Sequence, residues 1–347
     1  MRIVFPVLTL CRGGAQRMLA ELTNRLSYRG HEVILLMPPQ GVVEYPVSSP
    51  IWVTDGALKA EDFPKADLIV SNFYTTVPLA ESAAAAGKGV HARLALCYEP
   101  AFLPDNTRSF ASYHATPHLF VLSRWQQEIV RLHHGIKGRI VPIGVDGLFT
   151  NLGLRDQPGR RLTVSAIVRK PEGGFSGHRE QEYLLRELRR IKHTRPDTEV
   201  MLMMPPGELA ESPELQALSR EESFTVRTPA DDRELCYHYN ESHIFVSAST
   251  YDSGSLPGLE AMRCGAALVC VYSGGNLEYS HTRRNCLMSY RYEERLGADV
   301  LRLLEQPGLR SELAAKGERD SRRFTWERSA DLFERGLLQV LEEDSGR

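Results

Sequence analysis

Short, unbroken apolar runs separated by segments of helical period restrict this chain more than any other feature. In the first half RIVFPVLT, EVILLM, DLIVS, RLALC, HLFVLS and RIVPI read as strands. In the second half LTVSAIV, EVMLMM, FTVR, HIFVS, ALVCV and CLMSY do the same. A strand with one wet face alternates apolar and polar residues, and these runs do not. They are expected to be buried on both faces, which means parallel sheets covered by helices. The intervening segments supply those helices. Ala15, Met18, Leu19, Leu22 and Leu26 share one stripe, closed by Gly30, and Leu184, Leu185, Leu188 and Ile191 share another.

The pattern lapses once, at GVDGLFTNLGLRDQPGRR (144–161), which is rich in Gly, Asp, Asn and Arg and reads as a linker. A chain of 347 residues is also longer than one core usually supports. The expectation is an α/β protein of two Rossmann-like, doubly wound parallel-sheet domains, with a cleft at the carboxyl ends of both sheets. The boundaries fall at 1–147 and 148–324, with a last amphipathic helix in 325–347 that turns Trp326, Ala330, Phe333, Leu337 and Leu341 inward.

Composition narrows the function classes. A formal net charge of −2 argues against nucleic acid as a partner. No run reaches the roughly 18 apolar residues of a membrane span, and MRIVFPVLTLC reads as a first strand rather than a signal peptide. Cys11, Cys97, Cys236, Cys264, Cys270 and Cys286 form no CxxC pair, so free thiols in a reducing cytoplasm are expected, without a zinc site.

Glycine turns between strand and helix mark the candidate sites. In CRGGAQRMLAEL, Gly13 and Gly14 let a ligand approach backbone N–H groups at a helix start, although the spacing is not GxGxxG. In YDSGSLPGLEAMRCG, the turn at Gly254, Ser255 and Leu256 precedes a helix that can begin at Pro257. Asp252 lies at the strand's carboxyl end, and Glu260 lies just inside the helix, where a carboxylate in the first turn can simply favour the helix dipole or can accept from the vicinal hydroxyls of a ribose. Asp252 can also simply form the turn. VRKPEGGFSGHR brings Arg169, Lys170 and Arg179 together with Gly173, Gly174 and Gly177, and cations there can stabilise a departing diphosphate. SGGNLEY adds one more glycine turn, with Glu278. At the end of a first-half strand, Glu99 sits between Tyr98 and Phe102, an arrangement suited to packing a sugar ring, and Asn72, Phe73 and Tyr74 end a neighbouring strand. No Asp-x-Asp triplet, GxSxG elbow or P-loop occurs, and no metal ligand set is expected.

These stretches resemble the family-four (group 1) glycosyltransferases of the GT-B fold. GGAQRMLAELTNRLSYRGHEV looks like their opening, LSRWQQEIVRLHHGIKGRIVPIGVD like their domain-closing segment, SLPGLEAMRCG like "G-L-P-x-L-E-A-M-A-C-G", SGGNLE like "GG-x-x-E", and FTWERSADLFERGL like a final helix that crosses back to the first domain. The likeness runs in order along nearly the whole chain. It implies a retaining, metal-independent transferase of the hexosyltransferase type, without cofactor, that moves a sugar from a nucleotide-diphosphate donor. The acceptor would be a carbohydrate, lipid-linked or small molecule, and peripheral membrane association is compatible with it. The resemblance also implies that Glu260 binds the ribose, that Gly254, Ser255 and Leu256 offer N–H groups to the diphosphate, that Gly13 and Gly14 approach it, and that Asp252 contacts the donor sugar. Asp252 and Glu99 are then the candidate catalytic carboxylates, and Asn72, Tyr74 and Tyr98 the candidates for acceptor or sugar binding.

Two departures stand out. Asp252 replaces a Glu, and the family's Arg and Lys, five apart, align with Val168 and Gly173. That leaves Arg169, Lys170 and Arg179 as the available cations. CYEPAFLP resembles "D-Y-E-P-x-F" of rhamnosyltransferase-like members, with Cys97 in place of Asp. A silent nucleotide-sugar-binding subunit and a nucleotide-sugar epimerase of the same fold are the alternative classes.

Overall fold

Runs of Val, Ile, Leu and Met become central strands because β-branched and aliphatic side chains pack well on a pleated surface closed to water. The computed structural model describes residues 1–101, 103–172 and 176–346, so Phe102, Gly173 and Gly174 lie outside the described residues. Two units separate, Met1–Gly144 with Phe324–Arg347, and Val145–Arg323.

In the first unit β1 (Arg2–Pro6), β2 (Glu32–Met37), β3 (Ile51–Val53), β4 (Leu68–Ser71), β5 (Val90–Leu94), β6 (Leu119–Val121) and β7 (Arg139–Ile140) form one sheet. Their order is β3-β2-β1-β4-β5-β6-β7, and every pair is parallel. Ile3 lies opposite Val33 on one side and Leu68 on the other. The strand order reverses between β1 and β4, the kind of position where such sheets open a crevice. The short edge strand β3 was not anticipated. It has three residues, two of them exposed, so it carries no apolar run to detect.

Helix Gly14–Tyr28 buries Met18, Leu19, Leu22 and Leu26, and Gly30 ends it at φ +86 with its N–H on Ser27 O at 3.0 Å. The last helix, Trp326–Ser345, is capped by Thr325 and belongs to the same unit. Phe333 meets Phe120 edge-on at 4.9 Å, and Ser329 Oγ donates to Pro142 O at 2.6 Å. Gly144 is required here, because a Cβ would stand 2.4 Å from the Trp326 nitrogen.

The second unit holds β8 (Thr163–Ile167), β9 (Glu199–Met203), β10 (Thr225–Arg227), β11 (Ile244–Ser247), β12 (Ala267–Val271) and β13 (Cys286–Ser289). Their order is β10-β9-β8-β11-β12-β13, again all parallel, and the reversal falls between β8 and β11. Of residues 144–161, expected as linker, Gly144 ends the first unit's main segment, and 145–161 are part of the second unit's packing. Phe149 is buried. The buried Arg155 guanidinium donates to the carbonyls of Tyr239, Asn240 and Cys264. A polar, aperiodic stretch can therefore be anchored by a single Arg that satisfies the carbonyls at helix ends. No helix among the described residues is long and apolar enough to cross a membrane.

Candidate functional site

The second unit's switch point carries the densest set of predicted residues. Arg179, Ser247, Ala248, Asp252, Ser255 and Pro257 line one small cavity at the carboxyl ends of β8 and β11. Asp252 anchors the turn that follows β11. Its Oδ1 accepts the N–H of Ser255 at 2.9 Å and, more weakly, that of Gly254 at 3.4 Å. Two of the three N–H groups expected to face a diphosphate are thus held by the protein's own carboxylate. The reason is length: an Asp side chain closes onto the N–H groups two and three residues ahead.

The turn is fastened to a second one. The Asp252 N–H donates to Ser273 O at 2.9 Å, and its carbonyl accepts the Gly275 N–H at 2.8 Å. These bonds join the DSGS and SGGN turns, and a Cβ at Gly275 would lie 2.1 Å from Ser253 O. Ser255 sits at φ 58, ψ 50, a left-handed conformation that a non-glycine residue holds only under restraint. Its carbonyl accepts the buried Tyr279 hydroxyl at 2.6 Å.

The helix that follows is Leu256–Arg263, with Pro257 in its first turn. Glu260 is its fifth residue, beyond the first turn, so attraction to the helix dipole does not account for it. It is buried and accepts the Tyr239 hydroxyl at 3.1 Å. Burial pushes the Tyr239 hydroxyl well above its ordinary pKa, and the Glu260 charge adds to this. Tyr239 therefore stays a donor that holds the Glu260 carboxylate in place.

The three candidate cations have different surroundings. Arg169 Nε lies 2.8 and 3.0 Å from the two oxygens of Glu208, which also accepts the Lys170 N–H at 2.7 Å. Burial works to raise the Glu208 pKa, but the hydrogen bond and charge of Arg169 outweigh it and hold the carboxylate ionised. Lys170 Nζ pairs with Glu211 at 2.9 Å. Arg179 is different. Among the described residues its guanidinium has no hydrogen-bond or ion-pair partner. Burial lowers its pKa, Arg169 lowers it further, and the Asp252 charge opposes both. A guanidinium so placed, near the start of a helix, is suited to an anion. Glu208, Tyr239 and Tyr279 escaped the sequence reading. Glu208 was findable, since it follows β9, the neighbour of β8. The two tyrosines gave no local sign.

The first-unit candidates are mostly engaged elsewhere. Glu99 is fully buried, with both oxygens on Arg93 Nη2 at 3.0 and 2.9 Å and Oε2 also accepting Tyr113 at 3.0 Å. It neutralises a buried arginine six residues back and is closed to a sugar hydroxyl. Tyr98 is nearly buried, its hydroxyl 3.2 Å from His134 Nε2. Asn72 donates to Pro6 O at 2.7 Å, tying the end of β4 to that of β1. Tyr74 remains half-exposed, edge-on to Phe73 at 4.7 Å. The Gly13 N–H is taken by the Tyr45 hydroxyl at 3.0 Å, and Gly14 begins the helix.

Comparison with known proteins agrees with the architecture. Residues 173–306 match the family model described as "Glycosyl transferases group 1". No curated protein sequence matches. Among solved structures, sucrose-phosphate synthase from Thermosynechococcus elongatus aligns with a TM-score of 0.79 at 16 % identity, covering 99 % of this chain and 100 % of that one. HepE from Anabaena, solved with UDP and glucose, aligns at 0.76 and 16 % identity, covering 98 % and 100 %. WaaG, a glycosyltransferase involved in lipopolysaccharide biosynthesis, aligns at 0.73 and 14 % identity, covering 95 % and 99 %. The chain has the GT-B glycosyltransferase fold, and its segment 173–306 matches the group 1 glycosyltransferase model.

Proposed function

We propose that this protein is a retaining, metal-independent glycosyltransferase that takes a hexose from a nucleotide-diphosphate donor bound on the second unit. The observation that carries this reading is Arg179, a cation without an ion-pair partner among the described residues, in the cavity at the β8/β11 switch point and within the segment that matches the family model. In this reading the diphosphate meets Arg179 and the free N–H groups at the start of helix Leu256–Arg263. Glu260, oriented by Tyr239, accepts from the ribose hydroxyls. Arg169 and Lys170 are held by Glu208 and Glu211.

Transfer would then rest on positioning and on electrostatic support of the leaving diphosphate, with Arg179 in the place a metal ion takes in other transferases. The acceptor is a carbohydrate or a lipid-linked or small-molecule hydroxyl. Tyr74, half-exposed at the end of β4, is the first-unit candidate best able to reach it. HepE is solved with UDP-glucose, which favours a uridine donor as the first to try.

The test is nucleotide release from UDP-, dTDP-, GDP- and ADP-sugars, with and without a panel of glycan acceptors and with EDTA present. The expected result is release from one donor, undiminished by EDTA and lost in Glu260→Ala. Release no greater than in that variant, for every donor, sinks the reading.

A further inference from the structure

We propose that Asp252 is a positioning residue of the donor site: its carboxylate caps the turn that seats the donor diphosphate and does not read the donor sugar. The inference rests on the nucleotide-diphosphate reading above and deepens it. It starts from the one position where the chain departs from a longer acid. Asp252 Oδ1 lies 2.9 Å from the Ser255 nitrogen and 3.4 Å from that of Gly254. This is the arrangement in which a side-chain oxygen stands in for a backbone carbonyl and closes a turn. A glutamate, one methylene longer, overshoots it.

What the cap holds is the conformation of Ser255. At φ 58 and ψ 50 this serine is in the left-handed region without being glycine, and such residues persist only where their surroundings fix them. Asp252 holds its N–H, and Tyr279 holds its carbonyl at 2.6 Å. The main chain of Asp252 is meanwhile bonded in both directions to the SGGN turn, at 2.9 Å to Ser273 O and 2.8 Å from the Gly275 N–H. The two turns form one frame. From that frame the helix begins, and its first N–H groups, on Leu256 and Gly258, lack intrahelical acceptors. The Ser255 conformation sets where they point, and Ser255 and Pro257 line the same cavity as Arg179. Asp252 thus acts on the diphosphate through the backbone.

The two roles predict opposite orders among three substitutions. Asn keeps the accepting oxygen at the same reach. Glu keeps the charge and loses the reach, and Ala loses both. On the full-length protein, calorimetric titration with UDP, dTDP, GDP and ADP and with their glucose esters reads the difference. Asp252→Asn is expected to bind the preferred nucleotide within about threefold of wild type, and Asp252→Glu and Asp252→Ala about tenfold or more weaker, the loss of one to two backbone hydrogen bonds. The loss should be as large for the sugar-free diphosphate as for the sugar ester. Adding Ser255→Gly to Asp252→Ala, which relieves the left-handed strain, should restore part of the affinity.

Binding by Glu close to wild type with Asn far weaker overturns the proposal. So does unchanged affinity for the sugar-free diphosphate in all three variants. Wild type that binds none of these nucleotides overturns the donor reading and this inference with it, so the two failures are separable. Near-ultraviolet circular dichroism establishes that each variant is folded before titration.

Discussion

Replacing Arg179 by Met should weaken nucleotide binding while leaving the unliganded protein as stable as before. Most substitutions of half-buried residues cost stability because they remove contacts. Arg179 has no hydrogen bond or ion pair to lose among the described residues, and burial already lowers its pKa. Met keeps the aliphatic stem and removes an unsatisfied cation. The stability change of the free protein should therefore stay within about 1 kcal/mol, the usual range away from paired or packed groups. Binding should change much more. A hydrogen bond to a charged group contributes roughly 1.5–3 kcal/mol, which is about 10- to 150-fold in affinity. A nucleotide present at about 100 times its Kd stabilises the wild type by roughly 2.7 kcal/mol; a 100-fold weaker Kd at the same concentration leaves only about 0.4 kcal/mol. Thermal unfolding of both proteins, with and without the preferred nucleoside diphosphate, measures both quantities. An unchanged ligand-induced shift in Arg179→Met refutes the assignment. A large loss of stability without ligand refutes the claim that this cation is held for an anion.

Two further predictions concern the first unit. Arg93→Met strands the Glu99 carboxylate, whose two oxygens it holds at 3.0 and 2.9 Å in a site with no exposure. Unpairing such a charge should cost about 3–5 kcal/mol in urea unfolding, and Arg93→Met with Glu99→Leu together should recover much of it. Acid should also weaken this unit. Burial, followed by the charges of Arg93 and His118, lowers His91 from 6.5 to about 4, and burial with His114 and His133 lowers His134 to about 4. Both are neutral in the fold, and the unfolded chain takes up their protons first. Their contribution is complete above about pH 6.5 and disappears as pH falls toward 4, roughly 3 kcal/mol at most for the nearly buried His91. Urea midpoints between pH 4 and 7 should fall with pH, less steeply in His91→Gln; an identical slope in that variant excludes His91 as a source.

Much of the fold was legible because burial on both faces writes itself directly into composition. Every unbroken apolar run named from the sequence contributes a strand, and all the pairs are parallel. The helix stripes were equally readable, since Met18, Leu22 and Leu26 recur at the helical period. Strand β3 was not, being short, exposed and held only by its neighbour β2. The stretch 144–161, expected as linker, holds the division between the units, but the packing of its later part was not legible, because Arg155 is held by carbonyls about 85 to 110 residues away and no local pattern carries such a partner.

The candidate site divides the same way. Sequence alone determined that glycine turns, a Ser-Leu-Pro helix start and Glu260 would gather after β11, because turn and helix-start preferences act over a few residues. It also supplied three arginine or lysine candidates of equal standing, and Glu99 as a candidate catalytic carboxylate. Only the tertiary structure gave them different surroundings. Glu208 takes Arg169, Glu211 takes Lys170, and Arg93 takes Glu99, which leaves Arg179 in the cavity. The physical reason is that a charge's role depends on which opposite charge lies within about 3 Å and on how much water is excluded. Strand order sets both, and residue spacing sets neither.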